Sequence, residues 1–200
     1  MAFANYVIML KVMIIDNDIK RSKPLKQSLI DSGFDVVAHV ENDINLHAQC
    51  LAINPDVVIM DIDSPSRDTI ENVCVISMHD PRPIIMFTHD GDKEQIKLAT
   101  QAGVCAYVVG SISSERLTPV IDAAIARFEQ FKHLRNELTQ AKTKLEERKI
   151  IERAKGLLMK QRNLDEETAY EMLRSMAMKK NMKLADLSNQ LIETASLLIV

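Results

Sequence analysis

Two groups of residues in this chain have types and spacings that could do chemistry. The first is Asp16, Asp18, Asp61, Asp63 and Thr88, four carboxylates and a hydroxyl. Clustered carboxylates suit a hard cation such as Mg2+, which takes oxygen ligands and keeps several of its waters. A carboxylate beside that cation can accept a phosphoryl group while the metal neutralises the charge that develops. A single such Asp would read more simply as a strand-end cap or a solvated turn. The chemistry therefore depends on whether the fold gathers all five.

The second group is basic: Arg153, Lys155, Lys160, Gln161 and Arg162, then Arg174, Lys179 and Lys180. Lys and Arg neutralise phosphates, and Arg also stacks on an unpaired base. Gly156 lies among them, where a missing side chain permits close approach by another backbone. Charge alone fits a solvated helical surface equally well. Tyr170 could stack on a base, but its AYEML context places it in a helical core.

The first group needs a sheet. Apolar runs at 11–16, 35–40, 56–61, 83–88 and 105–109 read as strands. The segments at 22–32, 43–53, 66–77, 92–101 and 114–130 read as amphipathic helices. This alternation implies a doubly wound α/β fold with a five-stranded parallel sheet, flavodoxin-like, and helices on both faces. Ligands of such sheets sit at the carboxyl ends of the strands, where Asp16, Asp61 and Thr88 all fall.

The second group needs helices. Between Ser113 and Gly156 there is no glycine, and the only proline is Pro119, so 114–162 reads as one nearly continuous helix. Phe131, Leu134, Leu138, Ala141 and Leu145 recur with 3,4,3,4 spacing, a short heptad seam that suggests a dimer; the alternative is a helix lying on its own first domain. Asn163-Leu164-Asp165 breaks the helix. A second helix follows at 166–180 with Ala169, Met172, Leu173 and Met176 on one face, and a third runs from Leu184 with Leu187, Leu191 and Ala195 inward. Leu157, Leu158 and Met159 would complete this small all-α core. The resulting domains are 10–126, a helical coiled-coil linker at 127–147, and 148–200, with the helical pattern beginning near 134. Residues 1–9 form an N-terminal extension without an assigned role.

Composition excludes several classes. The 200 residues are 46% hydrophobic and 26% charged, ordinary for a soluble protein. No run reaches membrane-spanning length, and the apolar start lacks the basic region of an export signal. Cys50, Cys74 and Cys105 are odd in number and scattered, which suits reduced core thiols and a cytoplasmic setting rather than a disulfide framework. Aromatics make up only 4%, against a surface built mainly on stacking. The net charge of −3 divides unevenly: residues 1–131 hold 11 basic and 18 acidic residues, and residues 132–200 hold 14 and 10. Any polyanion contact should therefore lie toward the C-terminus.

Residues 11–125 resemble the receiver domain of two-component response regulators. The resemblance implies Asp61, in PDVVIMDIDSPSRDT, as phosphoacceptor, Thr88 and Tyr107 as switch residues, and Asp16, Asn17, Asp61 and Asp63 (through its carbonyl) around Mg2+. Two positions depart from the pattern. Asn17 replaces the second acid of the metal pair, which weakens the site, and Gly110 stands where a lysine should pair with the phosphorylated acceptor.

Residues 134–198 resemble the ANTAR domain, the RNA-binding module of bacterial transcription antiterminators. The match runs through 148-RKIIERAKGLLMKQRNLDEETAYEMLRSMAMKKNMKLADLS-188 in order and spacing. Over the whole chain the resemblance is nearest to NasT-like nitrate-assimilation regulators. It implies a non-enzymatic homodimer that binds paired leader-RNA hairpins through Arg153, Lys155, Gly156, Lys160, Gln161, Arg174, Lys179 and Lys180. A nitrate-sensing protein or histidine kinase would control it. The alternatives are a receiver-type scaffold without RNA binding, and a DNA-binding response regulator.

Overall fold

The structure is a computed structural model that describes residues 9–18, 22–42, 45–110 and 113–197, so the extension at 1–8 and the expected start of a helix at 43 lie outside it. The chain divides into two compact units between Lys132 and His133.

In the first unit, β1 (Lys11–Asp16), β2 (Asp35–Glu41), β3 (Val57–Asp61), β4 (Ile84–Thr88) and β5 (Ala106–Val109) form one parallel sheet in the order β2-β1-β3-β4-β5. The helices between them are α1 (Lys23–Asp31), α2 (Leu46–Ile53), α3 (Arg67–His79) and α4 (Lys93–Ala102). The central strands are apolar at nearly every position because both faces of a parallel sheet are covered by helices. Alternate residues separate into two cores. Met13, Ile15, Val58, Met60, Ile84 and Met86 pack on one side, with Leu46, Val73, Ile76 and Ala99. Val12, Ile14, Val57, Ile59, Ile85 and Phe87 pack on the other, with Leu29, Leu117 and Ile121.

Local chemistry sets the helix ends. Ser66 accepts the backbone N–H of Thr69 ahead of α3, and Asp92 accepts those of Glu94 and Gln95 ahead of α4. Asn54, Asn163 and Asn181 stop their helices in left-handed conformations, which Asn tolerates better than most residues.

A single helix, α5 (Ser114–Arg162), carries the chain into the second unit, followed by α6 (Glu166–Lys179) and α7 (Leu184–Leu197). Ala154 and Leu158 of α5 pack against Ala169 and Leu173 of α6, with Leu164, Leu184 and Leu191 at the margins. Met159, Met172 and Leu191 are half-buried, so the core is narrower than the helical pattern predicts. Asp165 caps α6, accepting the Thr168 N–H at 2.8 Å and the Thr168 hydroxyl at 3.0 Å. No helix among the described residues is long and apolar enough to cross a membrane.

Candidate functional sites

The strand register builds the first site. Asp16 pairs directly with Asp61 across β1 and β3, and Asp61 pairs with Phe87 across β3 and β4, which sets Thr88 one position beyond. Asp16 is fully buried, and one of its carboxylate oxygens accepts the Asp18 backbone N–H at 2.8 Å. Asn17 and Asp63 are exposed and Asp61 is half-buried. On β2, the His39 ring lies 2.7 Å from Ser22 Oγ. Burial lowers the His39 pKa, while the Asp16 carboxylate pulls it the other way.

A set of hydrogen bonds joins the loops after β3 and β4. The Thr88 hydroxyl donates to the Asp63 carbonyl at 2.7 Å and accepts the Asp90 N–H at 3.1 Å. The His89 N–H donates to the same Asp63 carbonyl at 3.1 Å, and the Ser64 hydroxyl donates to the Asp90 carboxylate at 2.7 Å. The Ser64 bond is the main reason the Asp90 carboxyl titrates below its ordinary range. Tyr107 donates its hydroxyl to the Asp90 carbonyl at 2.9 Å, and partial burial pushes its pKa up. Thr88 and Tyr107 thus anchor one loop from two strands.

An open cavity of about 190 Å³ runs over Asp61, Thr88 and Gly110, and is closed by Ser28 of α1 and Leu117 of α5. No lysine or arginine is among its described lining residues. Gly110 has φ +87°, and a side chain added there would meet nothing within 4 Å. Its left-handed backbone is what favours glycine, not crowding.

Asp16, Asp61 and Asn17 offer oxygen ligands, which Mg2+ prefers, and two carboxylates with several waters are enough for it. Asp16 and Asp61 on neighbouring strand ends fit that need, with the Asn17 amide beside them. The Asp63 carbonyl does not fit as it stands, because the Thr88 hydroxyl and His89 N–H occupy both of its lone pairs. Among the described residues no three His, Cys, Asp or Glu side chains converge as a metal cluster.

The second site lies on the second unit. Lys149, Arg153, Gly156 and Lys160 recur at 4,3,4 spacing on the side of α5 away from Ala154 and Leu158, and the three cations are exposed. Gln161, Arg174, Lys179 and Lys180 are exposed as well. A side chain added at Gly156 would meet nothing within 4 Å, so no neighbour among the described residues requires glycine there. Lys149, not among the residues expected from sequence, joins this row one helical turn before Arg153, a spacing legible in the sequence itself.

Two expectations are corrected here. Lys155 is only 7% exposed, and its Nζ lies 2.6 Å from Glu152 and 2.7 Å from Glu166. Those hydrogen bonds raise its pKa, and Lys155 in turn lowers that of Glu166. It clamps α5 to α6 instead of standing free on the surface. Tyr170 is not in the core either: it is 43% exposed, because Ala169, Leu173 and Ala177 already fill the buried side of α6.

Residues 12–122 match the response regulator receiver domain. The chain belongs to the response regulators. Residues 139–192 match the ANTAR domain, an RNA-binding antitermination module, and the combination is that of a non-enzymatic regulator. The transcriptional regulatory protein PdtaR of Mycobacterium tuberculosis is 28% identical over 184 residues, covering 92% of this chain and 90% of PdtaR. The nitrate regulatory protein of Klebsiella oxytoca is 38% identical over 68 residues, 34% of this chain and 17% of that one. The receiver domain of a modulated diguanylate cyclase from Desulfovibrio desulfuricans superposes with a TM-score of 0.53 at 22% identity, covering 61% of this chain and 98% of that domain. That last likeness concerns the fold alone.

Proposed function

We propose that this response regulator is an RNA-binding transcription antiterminator that grips paired leader-RNA hairpins with its ANTAR unit under control of its receiver. The observation that carries this is the stripe Lys149, Arg153, Gly156, Lys160, its three cations exposed, within the region of the ANTAR match. A glycine inside a helix costs roughly 1 kcal/mol against alanine. Among the described residues nothing uses the space at Gly156; in this reading a phosphodiester strand takes it, held by the flanking cations, with Gln161, Arg174, Lys179 and Lys180 extending the contact.

Two hairpins call for two copies. Phe131, Leu134, Leu138 and Leu145 are each 53–59% exposed, an unpartnered apolar seam of heptad spacing. The positions flanking it on one side, Arg135, Lys142 and Lys149, are all basic, so an antiparallel pairing would set like charges together. A parallel pairing sets Glu137 of one copy near Lys142 of the other.

In the receiver, Asp61 is the proposed phosphoacceptor, with Asp16, Asp61 and Asn17 holding Mg2+ and Thr88 and Tyr107 as the switch. A bound Mg2+ would neutralise charge on the incoming phosphoryl group. Drawing Thr88 toward a phosphorylated Asp61 requires breaking its bond to the Asp63 carbonyl, which would also release that carbonyl for the metal. Without a lysine at Gly110 the phosphorylated state lacks one favourable contact. Between the two expected controllers, a histidine kinase and a nitrate-sensing protein docked on the receiver, that favours the latter. The partial likeness to a nitrate regulatory protein supports the latter.

The test is filter binding to a two-hairpin leader RNA at low and moderate salt, with duplex DNA of matched length alongside. The reading expects tight hairpin binding that weakens steeply with salt and is lost in Arg153→Ala/Lys160→Ala/Arg174→Ala. Equal affinity for duplex DNA would support a DNA-binding regulator, and no nucleic-acid binding would leave a protein-interaction scaffold.

A further inference from the structure

Tyr170 is the only Phe, Tyr or Trp between residues 133 and 200, and it is not in the core. A small unit with one aromatic ring would ordinarily bury it, because a ring is the largest apolar contribution available to a core. Here the buried side of α6 is filled by Ala169, Leu173 and Ala177, while Tyr170 as a residue stands 43% exposed. Its hydroxyl has no hydrogen-bond partner among the described residues.

The surroundings of the ring are polar and unengaged. Glu167, Glu171 and Arg174 are all exposed and lie within one helical turn of Tyr170, and none forms an ion pair among the described residues. Glu166, by contrast, is held by Lys155. Glu167, three residues before, and Arg174, four after, share the ring's side of α6, with Glu171 to one side; the uncharged ring between them offers a stacking face for a base. Carboxylates accept hydrogen bonds from exocyclic amines, as they do from the amine of cytosine in duplex recognition. Arg174, one turn further along, supplies the cation for the adjoining phosphate.

Resting on the RNA-binding reading above, we propose that Tyr170 is the base-stacking residue of this unit. It receives an unpaired loop base that carries an exocyclic amine (adenine, cytosine or guanine), with Glu167 or Glu171 accepting from the amine. Sequence discrimination then lies on α6 and phosphate grip on the α5 stripe, two separable parts of one interface.

The experiment uses the full-length protein and the same two-hairpin RNA. Tyr170→Phe keeps the ring and should bind within about twofold of wild type. Tyr170→Leu should lose roughly fivefold to a hundredfold, the range for removing one stacked base, with the salt slope unchanged because no charge is lost. Uracil placed at each loop position in turn should weaken wild type at one position, and Glu167→Gln/Glu171→Gln should level that preference. A second readout is independent of the folding of the leucine variant. On RNA addition, the ring-proton resonances of one tyrosine should move upfield in wild type, and that signal should be missing in Tyr170→Phe. Unchanged affinity in Tyr170→Leu, or no tyrosine shift on saturation with RNA, overturns the proposal while leaving RNA binding intact. Failure of wild type to bind the hairpins at all would instead sink the reading on which it rests.

Discussion

Lys155 gives the sharpest test of how this surface is divided. It sits in the RAKGLLM stretch among apparent RNA contacts, yet its Nζ is committed to Glu152 and Glu166 and the side chain is 7% exposed. A cation that neutralises a phosphate releases counterions, so removing one lowers the slope of log affinity against log salt by about 0.7 to 0.9. Between 50 and 200 mM salt that is roughly a threefold change in the affinity ratio per contact. Lys155→Met should leave the slope unchanged, because in the folded protein Lys155 already has its counterions in the two carboxylates. Any weakening through the lost clamp would reduce the folded fraction and scale affinity by one factor at every salt concentration. Arg153→Ala and Lys160→Ala should each lower the slope by the full amount. The assay is a salt titration of hairpin binding at five or six concentrations for the three variants and wild type. A slope for Lys155→Met reduced as much as those of the stripe variants would refute the clamp and return Lys155 to the RNA surface.

Further tests address the core, the cap, a packing glycine and the acidic edge. Leu173→Ala truncates one of the two fully buried leucines of the second unit, Leu173 and Leu187, and should cost about 2 to 5 kcal/mol. Amide exchange across α6 should quicken by roughly thirtyfold or more, and a change below about threefold would count against this core. Asp165 titrates low chiefly because the Thr168 backbone N–H, and then its hydroxyl, bond the carboxylate; Glu166 titrates low because of Lys155. Both depressed values contribute stability that is present above the ordinary carboxylate range and lost as pH falls through it. Exchange protection of α6 should therefore drop between about pH 5 and 3, and Asp165→Asn, which keeps an acceptor, should flatten that dependence. Gly103 has φ +115°, and an added Cβ would lie 2.2 Å from Ser77 Oγ and 2.7 Å from its Cβ. Gly103→Ala should destabilise the receiver by at least about 2 kcal/mol in urea unfolding, and a loss under about 0.5 kcal/mol would show that α3 and α4 yield easily. Acetyl phosphate with Mg2+ should produce a phosphate-retarded band in wild type, but not in Asp61→Asn or after chelation of the metal.

Much of this architecture is written in local pattern. Continuous apolar runs ending in Asp16, Asp61 and Thr88 determine buried parallel strands whose carboxyl ends meet at one edge, because strand period and crossover connections leave few alternatives. The same holds for α5, where Pro119 and Gly156 are the only potential breakers between Ser113 and Asn163 and the pattern still prescribes one long helix, and for the Asn and Asp residues that stop and cap the short ones. Side-chain partnership across elements was not legible. The sequence places a lysine at 155 but not Glu166 beside it, since that contact depends on how α6 folds back on α5. Tyr170 looks apolar in its own helix, and only the packing of Ala169, Leu173 and Ala177 turns it outward. Likewise Asp63 reads as a metal ligand by position, while the loop after β4 brings two donors onto its carbonyl. Sequence determined which groups are available at each edge and face. Tertiary structure decided which of them are already spent on one another, because hydrogen-bond and ion-pair capacity is finite and is allotted only once the elements have packed.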